Sequence, residues 1–124
     1  MANRLPLEPD GAEKWEVQLR KGSLELAVLA SLWEGRLYGL EILRRLESDS
    51  DLIVAEGTVY PLLTRLKVLG LIESEWVESD SGHPRKYYWL TSTGRQRAVE
   101  MARIWRKFSA SLSDLLAPLG KDKR

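Results

Sequence analysis

The chain has 124 residues, 44% hydrophobic and 30% charged, with 19 lysines and arginines against 18 aspartates and glutamates and a formal net charge of +1. That length suits one domain, with too much apolar content for disorder and no apolar run long enough to span a bilayer. The balanced charge gives no general attraction to a polyanion, and the absence of cysteine excludes a disulfide framework and any thiolate metal site.

The opening Met1–Asp10 lacks the basic-then-apolar pattern of a secretory signal, which places the expected compartment in the cytoplasm. Residues 1–11 carry Pro6, Pro9 and Asp10-Gly11, a composition that reads as a flexible N-terminal arm. From about Glu13 the pattern turns helical, and Leu24, Ala27, Val28 and Leu32 recur at the spacing of an amphipathic stripe. Gly22 interrupts the propensity within that stretch. After Glu34-Gly35-Arg36 a second short helix follows on Leu40, Leu43 and Leu46, ending at the Ser48–Asp51 cluster.

A third helix opens near Glu56-Gly57-Thr58 with the stripe Val59, Leu62, Leu63, Leu66 and Leu69, and Gly70 supplies its C-terminal cap. Pro61 fits a first helical turn, where its missing N–H has no intrahelical partner in any case. If the stripe faces the core, Thr58, Tyr60, Pro61, Thr64, Arg65 and Val68 turn outward. Ile72 to Glu78 and Lys86 to Leu90 then read as a β-hairpin across the turn-forming Ser79-Asp80-Ser81-Gly82-His83-Pro84. By alternation Tyr87 and Trp89 share one face, and Lys86, Tyr88 and Leu90 the other. Thr91 offers an N-cap to a last helix, along which Ala98, Met101, Trp105, Phe108, Leu112, Leu115 and Leu119 form a heptad-like seam before Pro118, Gly120 and the charged residues 121–124.

The expected architecture is therefore mainly α with a small β-hairpin: a winged helix-turn-helix over residues 12–92 and a C-terminal dimerisation helix over 93–120. In that arrangement the third helix enters a major groove and the hairpin reaches along the backbone or minor groove. Basic pairs at Arg44-Arg45, Arg65 with Lys67, and Arg85-Lys86 are interleaved with Glu73, Glu75, Glu78 and Asp80. Hydroxyls and cations at Thr58, Tyr60, Thr64, Arg65 and Lys67 suit phosphates and base edges, and Arg85 and Lys86 suit phosphates. Double-stranded DNA is the expected partner, with no membrane and no cofactor. A seam that leaves Trp105, Phe108 and three leucines uncovered on one helix points to a homodimer. The competing reading is a winged-helix module that binds protein through the same seam and never touches DNA.

Catalysis has no support. The chain offers no cysteine nucleophile, a single histidine (His83) placed in a turn, and no phosphate-binding glycine loop. That lone histidine also leaves no set of ligands for zinc.

Three segments carry a family resemblance: Tyr38-Gly39-Leu40-Glu41-Ile42, Glu56-Gly57-Thr58-Val59-Tyr60-Pro61-Leu62-Leu63-Thr64-Arg65-Leu66, and Arg85-Lys86-Tyr87-Tyr88-Trp89-Leu90-Thr91. Together, in that order and spacing, they resemble the signature segments of PadR-like transcriptional regulators over roughly Leu19 to Leu119. The resemblance implies a dimeric repressor, an operator that is an imperfect inverted repeat, and the single C-terminal helix of the shorter PadR-like subgroup. It also adds Tyr38 to the expected DNA-binding residues. His83 stands where the family commonly has a further arginine, so this wing carries less positive charge. Trp105 lies where multidrug-sensing members pair tryptophans around flat apolar compounds, which implies an effector pocket on Met101, Trp105 and Phe108. An interface tryptophan without any ligand is the plainer alternative.

Overall fold

A computed structural model describes residues 9–48 and 56–120 of the chain. Helix α1 (Pro9–Ser31) is followed by the short strand β1 (Leu37–Tyr38), helices α2 (Gly39–Ser48) and α3 (Glu56–Val68), strands β2 (Ile72–Val77) and β3 (Arg85–Leu90), helix α4 (Ser92–Leu116), and a 3-10 turn at Ala117–Leu119. This is a winged helix-turn-helix with a long C-terminal helix, as the spacing of apolar residues predicts. Among the described residues, no helix is long and apolar enough to cross a membrane.

The core is made by Leu24, Val28, Leu29 and Leu32 of α1, Ile42, Leu43 and Leu46 of α2, Val59, Leu62, Leu63 and Leu66 of α3, and Ile72, Tyr88 and Leu90 of the sheet. Ala98 closes it from α4, and Met101 packs against its margin. Burying such side chains contributes about 1.5–3 kcal/mol each, so the periodic stripes decide which helix faces turn inward.

Several expectations change. Pro9–Gly11, expected within the arm over 1–11, belong to α1; proline is tolerated in a first turn, where its missing N–H has no intrahelical partner. Residues 1–8, and the tail expected at 121–124, lie outside the described residues. Gly22 does not interrupt α1, which runs unbroken to Ser31. In α2, Leu40 is 39% exposed and Ile42 is fully buried in its place. The helix begins at Gly39, directly after β1, so its phase is set by the strand. Its predicted end at Ser48–Asp51 agrees at Ser48, and the remainder lies outside the described residues.

Leu69 is 54% exposed, since the chain has left the helix before it. Gly70, at φ +78°, ends α3 with its N–H donating to the Lys67 carbonyl at 2.9 Å while the Leu71 N–H donates to the Leu66 carbonyl at 3.0 Å. These two bonds make a Schellman cap, for which glycine is favoured at the left-handed position.

The hairpin becomes a three-stranded antiparallel sheet in the order β1-β3-β2, with Leu37 opposite Tyr88 and Tyr38 opposite Tyr87. The third strand was not expected. Across the hairpin Ile72 faces Leu90, Ser74 faces Tyr88 and Trp76 faces Lys86, so these six side chains line the inner face of the sheet. Thr91 fastens α4 to the end of α3. Its hydroxyl donates to the Gly70 carbonyl at 2.7 Å and accepts from the Gly94 N–H at 2.9 Å, capping the helix as predicted.

Candidate nucleic-acid interface

Helix α3 presents two exposed flanks on either side of its buried stripe. Tyr60, Thr64 and Lys67 follow one another at i, i+4 and i+7 and share one flank. Thr58 and Arg65 share the other. All five are exposed, as the core-facing stripe requires. The flanks have different neighbours.

The Tyr60 flank faces the wing. Lys67 Nζ donates to Ser74 Oγ at 2.9 Å, which ties the end of α3 to β2. Thr64 Oγ1 donates back to the Tyr60 carbonyl at 3.2 Å. Tyr60 itself lies against the start of α2, so closely that a Cβ at Gly39 would fall 2.5 Å from its ring and its hydroxyl. Glu41 anchors that start: its Oε1 accepts from the Tyr38 N–H at 3.0 Å, satisfying an amide just ahead of the helix. Burial, and then the nearby Glu56 carboxylate, hold the Tyr60 hydroxyl above the ordinary value of 10.0. It therefore stays protonated at neutral pH, able both to donate and to accept a hydrogen bond.

Arg85 and Lys86 leave the wing toward the cleft that Tyr60 also lines. The Arg85 guanidinium stacks 4.5 Å from the centre of the Tyr38 ring, and Tyr38 is braced edge-on by Tyr87 at 5.5 Å. Lys86 Nζ lies 5.7 Å from the Trp76 ring centre, near the outer range of a cation–π contact. Tyr38, Tyr60, Trp76, Arg85 and Lys86 surround one cleft of about 310 Å³ with Tyr88 in its floor. Four of the predicted DNA-binding residues are thus brought together there. Tyr88 is buried and Tyr87 partly so, in keeping with the packing role that alternation assigns to the tyrosines.

The wing turn is braced from within. Gly82 takes φ +85° and its N–H donates to the Ser79 carbonyl at 3.0 Å, while Ser79 Oγ donates to the His83 carbonyl at 2.6 Å. His83 is exposed in this turn.

Thr58 and Arg65 do not join the cleft. They line a recess against Gly22 and Glu25 of α1 and Met101 of α4. There the Arg65 guanidinium lies 3.5 Å from the Glu25 carboxylate, whose other oxygen is 3.9 Å from Arg97. Glu25 so bridges α3 to α4.

Along α4, Met101 is half-buried, but Trp105 is 44% and Phe108 58% exposed, and Leu112, Leu115 and Leu119 are exposed beyond them. Met101, Trp105 and Phe108 meet Leu19, Leu26 and Ile104 along an apolar groove of about 420 Å³ between α1 and α4. The Trp105 and Phe108 rings lie 6.4 Å apart, tilted by 41°.

Sequence reasoning missed Trp76 and Gly39. Trp76 becomes visible only through strand register, which puts it opposite Lys86. Gly39 lies within the Tyr38–Ile42 segment that carries the family resemblance, but its role depends on an approach by Tyr60 that no local pattern encodes.

The model of the transcriptional regulator PadR-like family matches residues 28–100, more than half of the chain. Among solved structures, the chain is similar to a PadR-like transcription factor from Bacteroides fragilis, with 40% identity, 82% of this chain and 98% of that one covered, and a TM-score of 0.68. A PadR family regulator from Eggerthella lenta superposes with a TM-score of 0.78 at 32% identity, covering 87% of this chain and 94% of that one. A PadR-like regulator from Bacillus cereus gives 0.73 at 34%, covering 84% and 99%.

Proposed function

The chain belongs to the PadR-like family of transcriptional regulators, and from that membership we propose that it binds duplex DNA sequence-specifically, as a homodimer, on an inverted-repeat operator. Each protomer lays α3 in a major groove while Arg85 and Lys86 hold the flanking backbone. The observation that carries this reading is the meeting of Tyr60 with Arg85 and Lys86 around one cleft, continued along α3 by Thr64 and Lys67. Hydroxyls and cations on one surface, drawn from helix and wing together, match a groove and its adjoining phosphates.

The exposed α4 seam supports the dimer. Trp105, Phe108, Leu112, Leu115 and Leu119 keep steps of three and four residues and are uncovered in a single chain, and a second copy of α4 covers them. Two-fold symmetry suits an inverted repeat, with half-sites one helical turn, about 34–36 Å, apart. Repression is the sense implied by the family resemblance. The groove at Met101, Trp105 and Phe108 has the aromatic lining for a small planar apolar effector, which would act by changing the separation or tilt of the two reading heads. Micromolar planar cationic dyes are then expected to quench tryptophan emission, and unchanged emission removes the effector from the account.

Footprinting on DNA upstream of the protein's own gene, followed by selection from a random duplex pool, tests the main reading. Two protected blocks one helical turn apart are expected. Absence of protection on the upstream DNA and of enrichment from the pool contradicts it. The formal charge of +1 and the uncovered seam favour one second reading, a protein-binding winged-helix module, which gives neither outcome.

A further inference from the structure

Trp76 is the most exposed tryptophan among the described residues, at 66%. It is not a stray surface ring. The inner face of the hairpin runs from buried Ile72 through half-buried Ser74 to Trp76, opposite Leu90, Tyr88 and Lys86 in turn. The core ends at Tyr88, so Trp76 carries the same face past the core and over the start of α3. There it forms one wall of the cleft that Tyr60 and the two wing cations also line, and none of the side chains lining that cleft is acidic.

The two cations are held in place by aromatic rings. The Arg85 guanidinium lies over the Tyr38 ring, 4.5 Å from its centre, a cation–π contact that leaves N–H donors available to a phosphate. Lys86 rests near Trp76. An apolar ring with one cation beside it and a second lining the same cleft matches a ligand whose own surface alternates apolar and anionic groups. The backbone of nucleic acid has that character: a phosphate, then a sugar. In a duplex the bases are stacked on one another, so an aromatic side chain beside the backbone meets the edge of a deoxyribose.

We propose that this cleft receives one deoxyribose phosphate unit of duplex DNA, with the phosphate on Lys86 and Arg85 and the sugar edge on the exposed face of Trp76. The inference rests on the DNA-binding reading above and deepens it, because it makes Trp76 an apolar contact whose contribution differs in kind from that of the cations. Neutralising a phosphate releases counterions and steepens the salt dependence by about 0.9 per contact. Burying a ring against a sugar releases none. Trp76 therefore adds affinity that salt does not erode.

The test is a fluorescence anisotropy titration of a labelled random-sequence duplex of roughly three helical turns, and of one of its strands alone, from low to moderate salt, with wild type, Trp76→Ala, Trp76→Phe and Lys86→Met. Circular dichroism first checks that each variant is folded, which the exposure of Trp76 favours. Lys86→Met, which removes one phosphate contact from each protomer of the homodimer, is expected to flatten the slope of log affinity against log salt by about 1.8. Trp76→Ala is expected to bind about tenfold more weakly at every salt with the slope unchanged, the size of two modest aromatic contacts, one from each protomer, and Trp76→Phe to fall between. Trp76→Ala binding like wild type overturns the proposal. So does a slope flattened as in Lys86→Met, which reduces Trp76 to a prop for the lysine, and so does a Trp76 effect confined to single-stranded DNA, which means base stacking. Absence of salt-steep binding in wild type overturns the DNA-binding reading and the inference together, and is distinct from these three.

Discussion

Gly39 and Tyr60 meet across the junction of β1, α2 and α3, so closely that a Cβ on residue 39 would stand 2.5 Å from the tyrosine ring. Glycine at that position is what lets Tyr60 lie against the start of α2 and line one cleft with the wing cations. The obstructing atoms belong to the far end of a side chain, which can swing aside. Gly39→Ala is thus expected to cost less than about 1 kcal/mol in stability, since alanine also regains helix propensity, while displacing Tyr60 and weakening DNA binding several-fold. Urea denaturation alongside an anisotropy titration checks both halves.

Gly94 is the opposite case. A Cβ there would overlap the carbonyl oxygen of Leu71, and that carbonyl also accepts the Thr91 N–H at 3.1 Å. Backbone cannot move aside without disturbing the α3 and α4 caps. Gly94→Ala is expected to destabilise by about 1–3 kcal/mol, the usual cost of overpacking, and a denaturation midpoint equal to wild type would contradict the packing described.

Glu25 holds Arg65 and Arg97 at once. Both arginines are about half exposed, and pairs of that kind contribute roughly 0–1 kcal/mol. Glu25→Gln is therefore expected to change stability by less than about 1 kcal/mol. Removing a carboxylate beside α3 should instead tighten binding to random duplex DNA at low salt, by about threefold. Weaker binding would mean that the bridge positions Arg65 and does not compete with the phosphates for it.

The tyrosines predict an alkaline limit. Burial raises the hydroxyls of Tyr60 and Tyr88 above the ordinary 10.0, with Glu56 adding to the first and Tyr60 to the second. Above that pH the unfolded chain has released protons that the folded chain retains, so stability falls as pH rises. Below it both states are protonated and the contribution is fully present. Between pH 9 and 11, Tyr88→Phe should lose less stability than wild type, measured by thermal unfolding; equal losses would contradict the burial of that hydroxyl as the cause.

The helical stripes were legible because burial follows period. Val59, Leu62, Leu63 and Leu66 recur every three or four residues, and all four are buried. The Thr91 cap and the Gly70 stop were legible for a related reason, since each satisfies local backbone groups with local side chains or torsions. β1 was not. Its two residues are held by pairing with β3, some fifty positions later, and carry no period of their own. The same strand sets where α2 starts, which explains why Ile42 replaced Leu40 in the core. At the site, Arg85 and Lys86 were plain from charge, whereas Trp76 depends on register across a hairpin and Gly39 on contact between two helices. Such relations exist only once the chain is folded.

The most direct test of DNA recognition by α3 and the wing is the affinity of wild type and an Arg85→Ala/Lys86→Ala double variant for a duplex from upstream of the protein's own gene, beside a scrambled duplex of equal composition, across a salt series. The account predicts tight binding to the upstream duplex that weakens steeply with salt, a clear preference over the scrambled sequence, and a slope flattened in the double variant by close to four contacts, two from each protomer of the homodimer, or about 3.6. Equal affinity of wild type and variant at every salt would contradict it.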